Sequence, residues 1–374
     1  MKIPPIPLLN LTRQTEGLRP ELEKAARNVL KRGEFILGSQ VALFEREFSR
    51  ACSARFGIGV ASGTDALELA LRALGVGAGD WVAVPSMTFL ATADAVLHVG
   101  ARPLFVDIDP MSYTMDPLDL DRRARSLGAA GKKRLKAVIP VHLYGHPCDM
   151  DAIGAIARRH RLAVIEDAAQ AAGARWKGRP VGGLGSAGCF SFFPTKNLGA
   201  FGDAGMVVTS SVKLNRRLRS LRVHGRGAGD RQAELGRNSR LDELQAALLR
   251  VKLKRLGAWV ERRRKLASEY TRRLSGLDGL VCPVEMPGAR HAFHLYVIRS
   301  PRREAIRRAL ERQGIASRVY YPVPLHKQPL HQKANAGLRL PETERACKEV
   351  LALPLFPELT LAELRRVCSA IVSA

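Results

Sequence analysis

Between residues 55 and 210, short apolar runs alternate with segments whose apolar positions recur at helical spacing. The runs are FGIGVAS, WVAVP, RPLFVDI, LKAVIPV, LAVIEDA, CFSFF and GMVVTS. Amphipathic stretches such as DALELALRALGV, stopping at Gly75 or Gly77, and DMDAIGAIARRH lie between them. That alternation predicts βαβ units, and runs that are apolar throughout predict strands covered on both faces, hence a mostly parallel sheet. Further on, RVKLKRLGAWVERRRKLASEYTRR, Arg250 to Arg273, keeps Val251, Leu253, Leu256, Val260, Leu266 and Tyr270 near helical spacing. It reads as one long helix with a solvated basic face. HAFHLYVIRS and ASRVYYPVPLH then read as strands around the helix RREAIRRALERQG, with a last helix from about Leu361. The expected organisation is a large α/β domain, residues 1–250 with an N-terminal arm, followed by a smaller C-terminal α+β domain, 251–374.

A chain of 374 residues with 46% hydrophobic content has enough apolar material for two such cores. Its 60 Lys and Arg against 35 Asp and Glu give a net charge of +25, which raises the question of nucleic acid. The basic residues fall on helical faces without interleaved aromatics or a nucleic-acid motif, so no nucleic-acid partner is expected. An arginine-rich proteome or an anionic small substrate also accounts for the excess. Six cysteines without a Cys-x-x-Cys pair predict reduced, mostly buried thiols and no zinc site. The opening MKIPPIPLLNLTRQ offers neither a signal peptide nor a spanning helix, so a cytoplasmic protein with no membrane partner is expected.

Open α/β sheets bind ligands beyond the carboxyl ends of their strands, so polar residues that follow apolar runs come first. In VASGTDALELAL, Ser62, Gly63 and Thr64 lead into a helix, where free N–H groups and the helix dipole suit a phosphate. The same residues also read as a plain N-cap, with Thr64 capping and Asp65 in the first turn. LAVIEDAAQAAGA delivers Glu166 and Asp167 at a strand end with Gln170 one turn on; such a carboxylate suits a cationic ring nitrogen, or simply a helix start. CFSFFPTKNLG places Ser191 and Lys196 about a Pro-Thr turn, where a lysine drawn out of water loses pKa and gains nucleophilicity. A surface-loop lysine is the plainer alternative.

Two other patterns fail on context. GLGSAG, Gly183 to Gly188, fits a dinucleotide fingerprint, but RWKGRPVG precedes it and the strand CFSFF comes after it, where strand and then helix are needed. His142 and His146, with Cys148 and Asp149, sit among glycine and proline, so the rings would not share a helix face, and no metal is expected.

Taken in order, phosphate turn, ring-binding acid and Schiff-base lysine, the chain resembles the DegT/DnrJ/EryC1/StrS family of pyridoxal-phosphate-dependent sugar aminotransferases. The resemblance runs through FILGSQVALFEREFS, SGTDALELALRALG, VPSMTFLATADAV, PVHLYGHPCDMDAI, IEDAAQAAGA, FSFFPTKNLGAFGDAG, GRNSRLDELQAAL, YYPVPLH and LPLFPELT. It implies the aspartate-aminotransferase fold type I and pyridoxal phosphate, or its pyridoxamine form, as cofactor. By resemblance, Lys196 holds the cofactor covalently, Asp167 pairs with the pyridine nitrogen and Gln170 lies near the ring hydroxyl. Gly63, Thr64, Asp65 and Ser191 hold the phosphate, Phe89 stacks on the ring, and Asn238 reaches the phosphate of a neighbouring copy, so the site is shared across a homodimer. Tyr321 and His326 match positions near the sugar pocket.

The implied reaction moves an amino group from L-glutamate to a nucleotide-linked ketosugar. GRNSRLDELQAALLRVKL and YYPVPLH are more similar to the 3-amino-3,6-dideoxyhexose branch, which favours a dTDP-3-keto-6-deoxyhexose over a 4-ketosugar or an aminocyclitol precursor. Related 3-dehydrases carry histidine where this chain has Lys196, and a silent regulatory relative would be expected to lack Lys196 or Asp167.

Overall fold

In the computed structural model, which describes residues 4–227 and 231–374, the strands are β1 (Phe56–Val60), β2 (Trp81–Pro85), β3 (Arg102–Val106), β4 (Leu135–Val138) and β5 (Ala163–Asp167). They continue with β6 (Arg175–Trp176), β7 (Arg179–Pro180), β8 (Ala187–Ser191), β9 (Gly205–Thr209), β10 (Ala289–Arg290), β11 (Tyr296–Arg299) and β12 (Val350–Leu353). Every apolar run between 55 and 210 supplies one strand of a seven-stranded sheet in the order β1-β9-β8-β5-β4-β2-β3. Only β9 runs against the others, pairing antiparallel with both β1 and β8. The sheet is therefore mixed but mostly parallel, and its strands are largely buried, as continuous apolar runs require.

The register of β9 brings two strand ends together at the carboxyl edge. Gly205, the first residue of β9, lies opposite Val60 at the end of β1 and Ser191 at the end of β8. A Cβ there would come within 2.3 Å of the Ser62 carbonyl, so glycine lets these two strand ends approach.

A second core gathers Leu266, Tyr270, Tyr296, Ile306, Leu351 and Phe356 around the β11–β12 pair. It also takes in Ile6 from the N-terminal segment, bonded to Gly314 and Ala316 on both sides of its peptide. The helix Leu256–Leu274 joins the two cores: Leu256 and Val260 pack toward the sheet, Leu266 and Leu274 into the second core.

Three details differ from the pattern reading. The stretch 250–273 is two helices, Glu243–Leu253 and Leu256–Leu274, because its halves pack on different surfaces. Its basic residues are not all solvated either: Lys252 and Arg263 are buried, and Arg263 donates to the carbonyls of Phe293, His294 and Leu355. Finally, 316–324 is a loop with a single bridge, Arg318 to Ala352, leading into a short 3-10 turn at Leu325–Lys327, since Pro322 and Pro324 have no N–H to give a ladder. The partner of β11 is instead Val350–Leu353.

Candidate active site

The helix Gly63–Ala73 starts at the carboxyl edge of the sheet, directly after β1. Ser62 caps it, its hydroxyl accepting from the Asp65 N–H at 3.1 Å; Thr64 already lies inside the first turn and is not the cap. The N–H groups of Gly63 and Thr64 have no partner within the helix and stand at the positive end of its dipole. A Cβ on Gly63 would lie 2.6 Å from the Ser191 Cβ, so glycine is what brings Ser191 against this turn. The Asp65 carboxylate points elsewhere, accepting from the Ser239 hydroxyl at 2.7 Å and pairing with Arg237 at 3.1 Å. Asp65 thus anchors the Arg237–Ser239 segment to the turn. Asn238 is exposed and lines an open cleft of about 370 Å³ with Ile36, Ala61, Arg240 and Gln245.

Asp167 ends β5 and is 5% exposed. One carboxylate oxygen accepts from the Thr92 hydroxyl at 2.8 Å and the other from the Ala169 N–H at 3.2 Å. Burial raises its pKa, while these donors, the Lys196 charge and His142 oppose the rise. Among the described residues it has no cation at ion-pair distance.

Glu166 lies on the other side of the strand and is fully buried. It accepts from the N–H groups of Gly182, Leu184 and Gly185 at 2.6, 2.7 and 2.7 Å, and meets His142 Nε2 at 3.1 Å. The glycine-rich loop therefore wraps a carboxylate of the chain itself, and leads into β8. His142 Nδ1 accepts from the Cys148 N–H at 3.0 Å, which assigns the proton to Nε2. His146 faces the Pro147 carbonyl through Nδ1 and the Met286 N–H through Nε2.

Gln170 is held by two bonds: its oxygen accepts from the Tyr144 N–H at 2.7 Å and its nitrogen donates to the Tyr321 hydroxyl at 3.0 Å. The Tyr321 ring lies 6.1 Å from that of Phe89, which is 55% exposed. His326 is buried with both ring nitrogens engaged, Nδ1 2.7 Å from the Ser86 hydroxyl and Nε2 3.3 Å from Glu344. It ties the loop carrying Tyr321 to the end of β2.

Lys196 is half-buried, and burial pushes its amine down to about 8, against the opposing pull of Asp167. Its loop is closed by the bond from Ala200 N–H to the Phe192 carbonyl at 2.7 Å, and a Cβ on Gly199 would meet the Pro194 carbonyl at 2.2 Å. Outside this loop stand clamps that the pattern reading did not single out. Asn197 donates to the Ala292 carbonyl at 3.1 Å, and Gln245 bonds both the N–H and the carbonyl of Phe201. The buried Lys252 ammonium donates to the Gly199 carbonyl and sits 4.9 Å from the Phe201 ring centre. Gln245 and Lys252 are seven apart on one helix, a spacing that places both on one face.

These groups fit pyridoxal phosphate. A buried carboxylate without a cation suits a protonated ring nitrogen, a lysine with lowered pKa suits an aldehyde, and the Gly63–Thr64 turn beside Ser191 suits a phosphate.

A family model described as the DegT/DnrJ/EryC1/StrS aminotransferase family matches residues 17–372. A Geobacillus stearothermophilus protein named a pleiotropic regulatory protein is 48% identical over 95% of this chain and 94% of its own. An Acidithiobacillus ferrooxidans UDP-N-acetyl-3-dehydro-alpha-D-glucosamine 3-aminotransferase is 46% identical, covering 98% and 97%. A Streptomyces venezuelae dTDP-3-amino-3,4,6-trideoxy-alpha-D-glucose transaminase is 44% identical, covering 98% and 96%. A crystal structure of S. venezuelae DesV in complex with a ketimine intermediate superposes with a TM-score of 0.95 at 43% identity, covering 99% of this chain and 98% of that one.

Proposed function

The chain belongs to the DegT/DnrJ/EryC1/StrS aminotransferase family, and on that premise we propose that it transfers the amino group of L-glutamate to C3 of a nucleotide-linked 3-ketosugar, with a dTDP-3-keto-6-deoxyhexose as the favoured acceptor. It is a pyridoxal-phosphate-dependent nucleotide-sugar aminotransferase with the α/β fold of that family. The observation that carries the site assignment is the placing of half-buried Lys196 and cation-free Asp167 at one sheet edge, next to the open start of the 63–73 helix.

Pyridoxal phosphate, when bound, supplies an aldehyde that condenses with amines and a cationic ring that takes up the electron pair left by proton removal. Asp167 holds the proton on the ring nitrogen. With the cofactor bound, Lys196 Nζ would take a proton from the donor's α-carbon and, in the second half-reaction, would give one to the sugar C3. An amine whose pKa has fallen to about 8 is suited to both steps near neutral pH. Gly63, Thr64 and Ser191 would hold the phosphate, with Asp65 bracing the turn through Ser239 and Arg237. Phe89 would cover one ring face, Gln170 would lie near the ring hydroxyl, and Tyr321 would close the sugar side with its loop fixed by His326.

Asn238 is the residue that completes the phosphate site of a second copy. Exposed Phe35, Ile36 and Phe201 surround the start of the 243–253 helix next to it, an apolar rim of the kind a homodimer covers. The cytoplasm is the proposed location, and none of the helices in the described residues is long and apolar enough to cross a membrane.

The preference for C3 rests on two of these relatives, whose names carry 3-amino or 3-dehydro sugars with dTDP or UDP as the nucleotide. The regulatory name of the Geobacillus protein fits a silent relative less well, because this chain keeps both Lys196 and Asp167. The test is incubation with glutamate and a panel of dTDP- and UDP-linked 3- and 4-ketosugars, monitoring 2-oxoglutarate. Turnover confined to 4-ketosugars would overturn the C3 assignment.

A further inference from the structure

The Thr92 hydroxyl lies 2.8 Å from Asp167 and 3.0 Å from the Thr88 hydroxyl. All three side chains are buried, Thr92 to 1% exposure and Thr88 to 3%. An ionised carboxylate only accepts, so Thr92 must donate to Asp167; its oxygen is then left to accept, and Thr88 donates to it. A protonated Asp167 has an O–H of its own, which lets it donate to Thr92 and leaves the direction of the first bond unfixed. The direction of this two-hydroxyl chain is therefore tied to the charge of Asp167.

We infer that Thr92, backed by Thr88, is a positioning residue that keeps Asp167 a carboxylate aimed at the cofactor's ring nitrogen. The inference rests on the reading of Asp167 as the partner of that nitrogen and adds the groups that sustain it. The charged and titratable groups facing Asp167 are Lys196 beyond β8, His142 beyond β4, Cys189 of β8 and Tyr321 from the loop bridged to β12, while Glu166 points to the other side of the strand. The Lys196 amine would not keep one state through the reaction, being bound to the cofactor at rest and free while it carries protons. His142 has its proton on Nε2 opposite Glu166. The donors that stay fixed on Asp167 through both half-reactions are thus the Thr92 hydroxyl and the Ala169 N–H. Burial works against the charge throughout, so losing either donor favours the neutral acid.

The test compares Thr92→Val, which keeps the shape and removes the donor, with Thr92→Ser, which restores it. Apo-protein labelled with carbon-13 at aspartate carboxyls is titrated by NMR; the resonance missing from Asp167→Asn identifies Asp167. Thr92→Val is expected to raise its midpoint by about one pH unit, and Thr92→Ser to return it, the scale of one hydrogen bond to a charged group. Thr88→Val, which breaks the second link only, is expected to give a smaller shift in the same direction and serves if Thr92→Val does not fold. An Asp167 midpoint unchanged in both valine variants, with Asp167→Asn inactive, would overturn the inference alone. Full activity of Asp167→Asn would overturn the reading of Asp167 itself, whatever Thr92→Val does.

Discussion

The Gln170 side chain donates to the Tyr321 hydroxyl at 3.0 Å, linking the turn after β5 to a loop that belongs to the second core. Tyr321→Phe leaves that donor without its partner at the sugar side of the site. Its kcat/KM for the nucleotide sugar is expected to fall about tenfold to a hundredfold, with the glutamate half-reaction within about threefold of wild type. Single-turnover measurement of each half-reaction separates the two; equal losses in both would argue against a sugar-side role.

Gly63→Ala places a methyl group 2.6 Å from the Ser191 Cβ and pries the helix start from that side chain. Cofactor affinity is expected to weaken by about tenfold or more, read by equilibrium dialysis or absorbance titration, because two N–H donors and a hydroxyl no longer converge. Unchanged affinity would place the phosphate elsewhere.

The pH dependence is set by Lys196. Its amine must be neutral to accept a proton, and burial has lowered its pKa to about 8. The rate of proton removal is therefore expected to rise with pH and level off above a midpoint near 8, far below that of an ordinary lysine. Asp167 opposes the lowering, so Asp167→Asn is expected to shift that midpoint lower still in whatever activity survives.

Glu166→Gln tests the glycine-rich loop. Three N–H groups and His142 donate to this carboxylate, and an amide would set its own NH₂ against one of them. Stability is expected to drop by about 2–4 kcal/mol, measured by urea unfolding, with residual folded enzyme still binding cofactor. A loss of cofactor without loss of stability would mean that the loop holds a ligand instead.

The seven sheet strands were legible because burial on both faces leaves a continuous apolar run, and the ends of those runs mark the edge at which the candidate residues gather. Val350–Leu353 was not, since four apolar residues after a helix look like one more helical turn. Asp167 stood out as a charge at the end of an apolar run, and Lys196 as a lysine in the turn just beyond another, since a charge drawn out of water is costly without a purpose. What the pattern could not carry were pairings between distant positions: Ser239 on Asp65, Ser86 on His326, Lys252 on the Gly199 carbonyl. Each of these side chains reads as ordinary in its own neighbourhood, and only the fold brings its partner within reach. Thr92 was within sight of the sequence, four residues after Thr88 at a helix start, but nothing local shows that its hydroxyl faces Asp167.

The central claim is that the amine of Lys196 joins covalently to the cofactor. Borohydride reduction of the enzyme loaded with pyridoxal phosphate, then proteolysis and mass mapping, tests it most directly. The expected result is a single pyridoxyl tag on the peptide carrying Lys196, absent from Lys196→Ala. A tag on another lysine, Lys252 included, or no tag after the cofactor is supplied in excess, would contradict it.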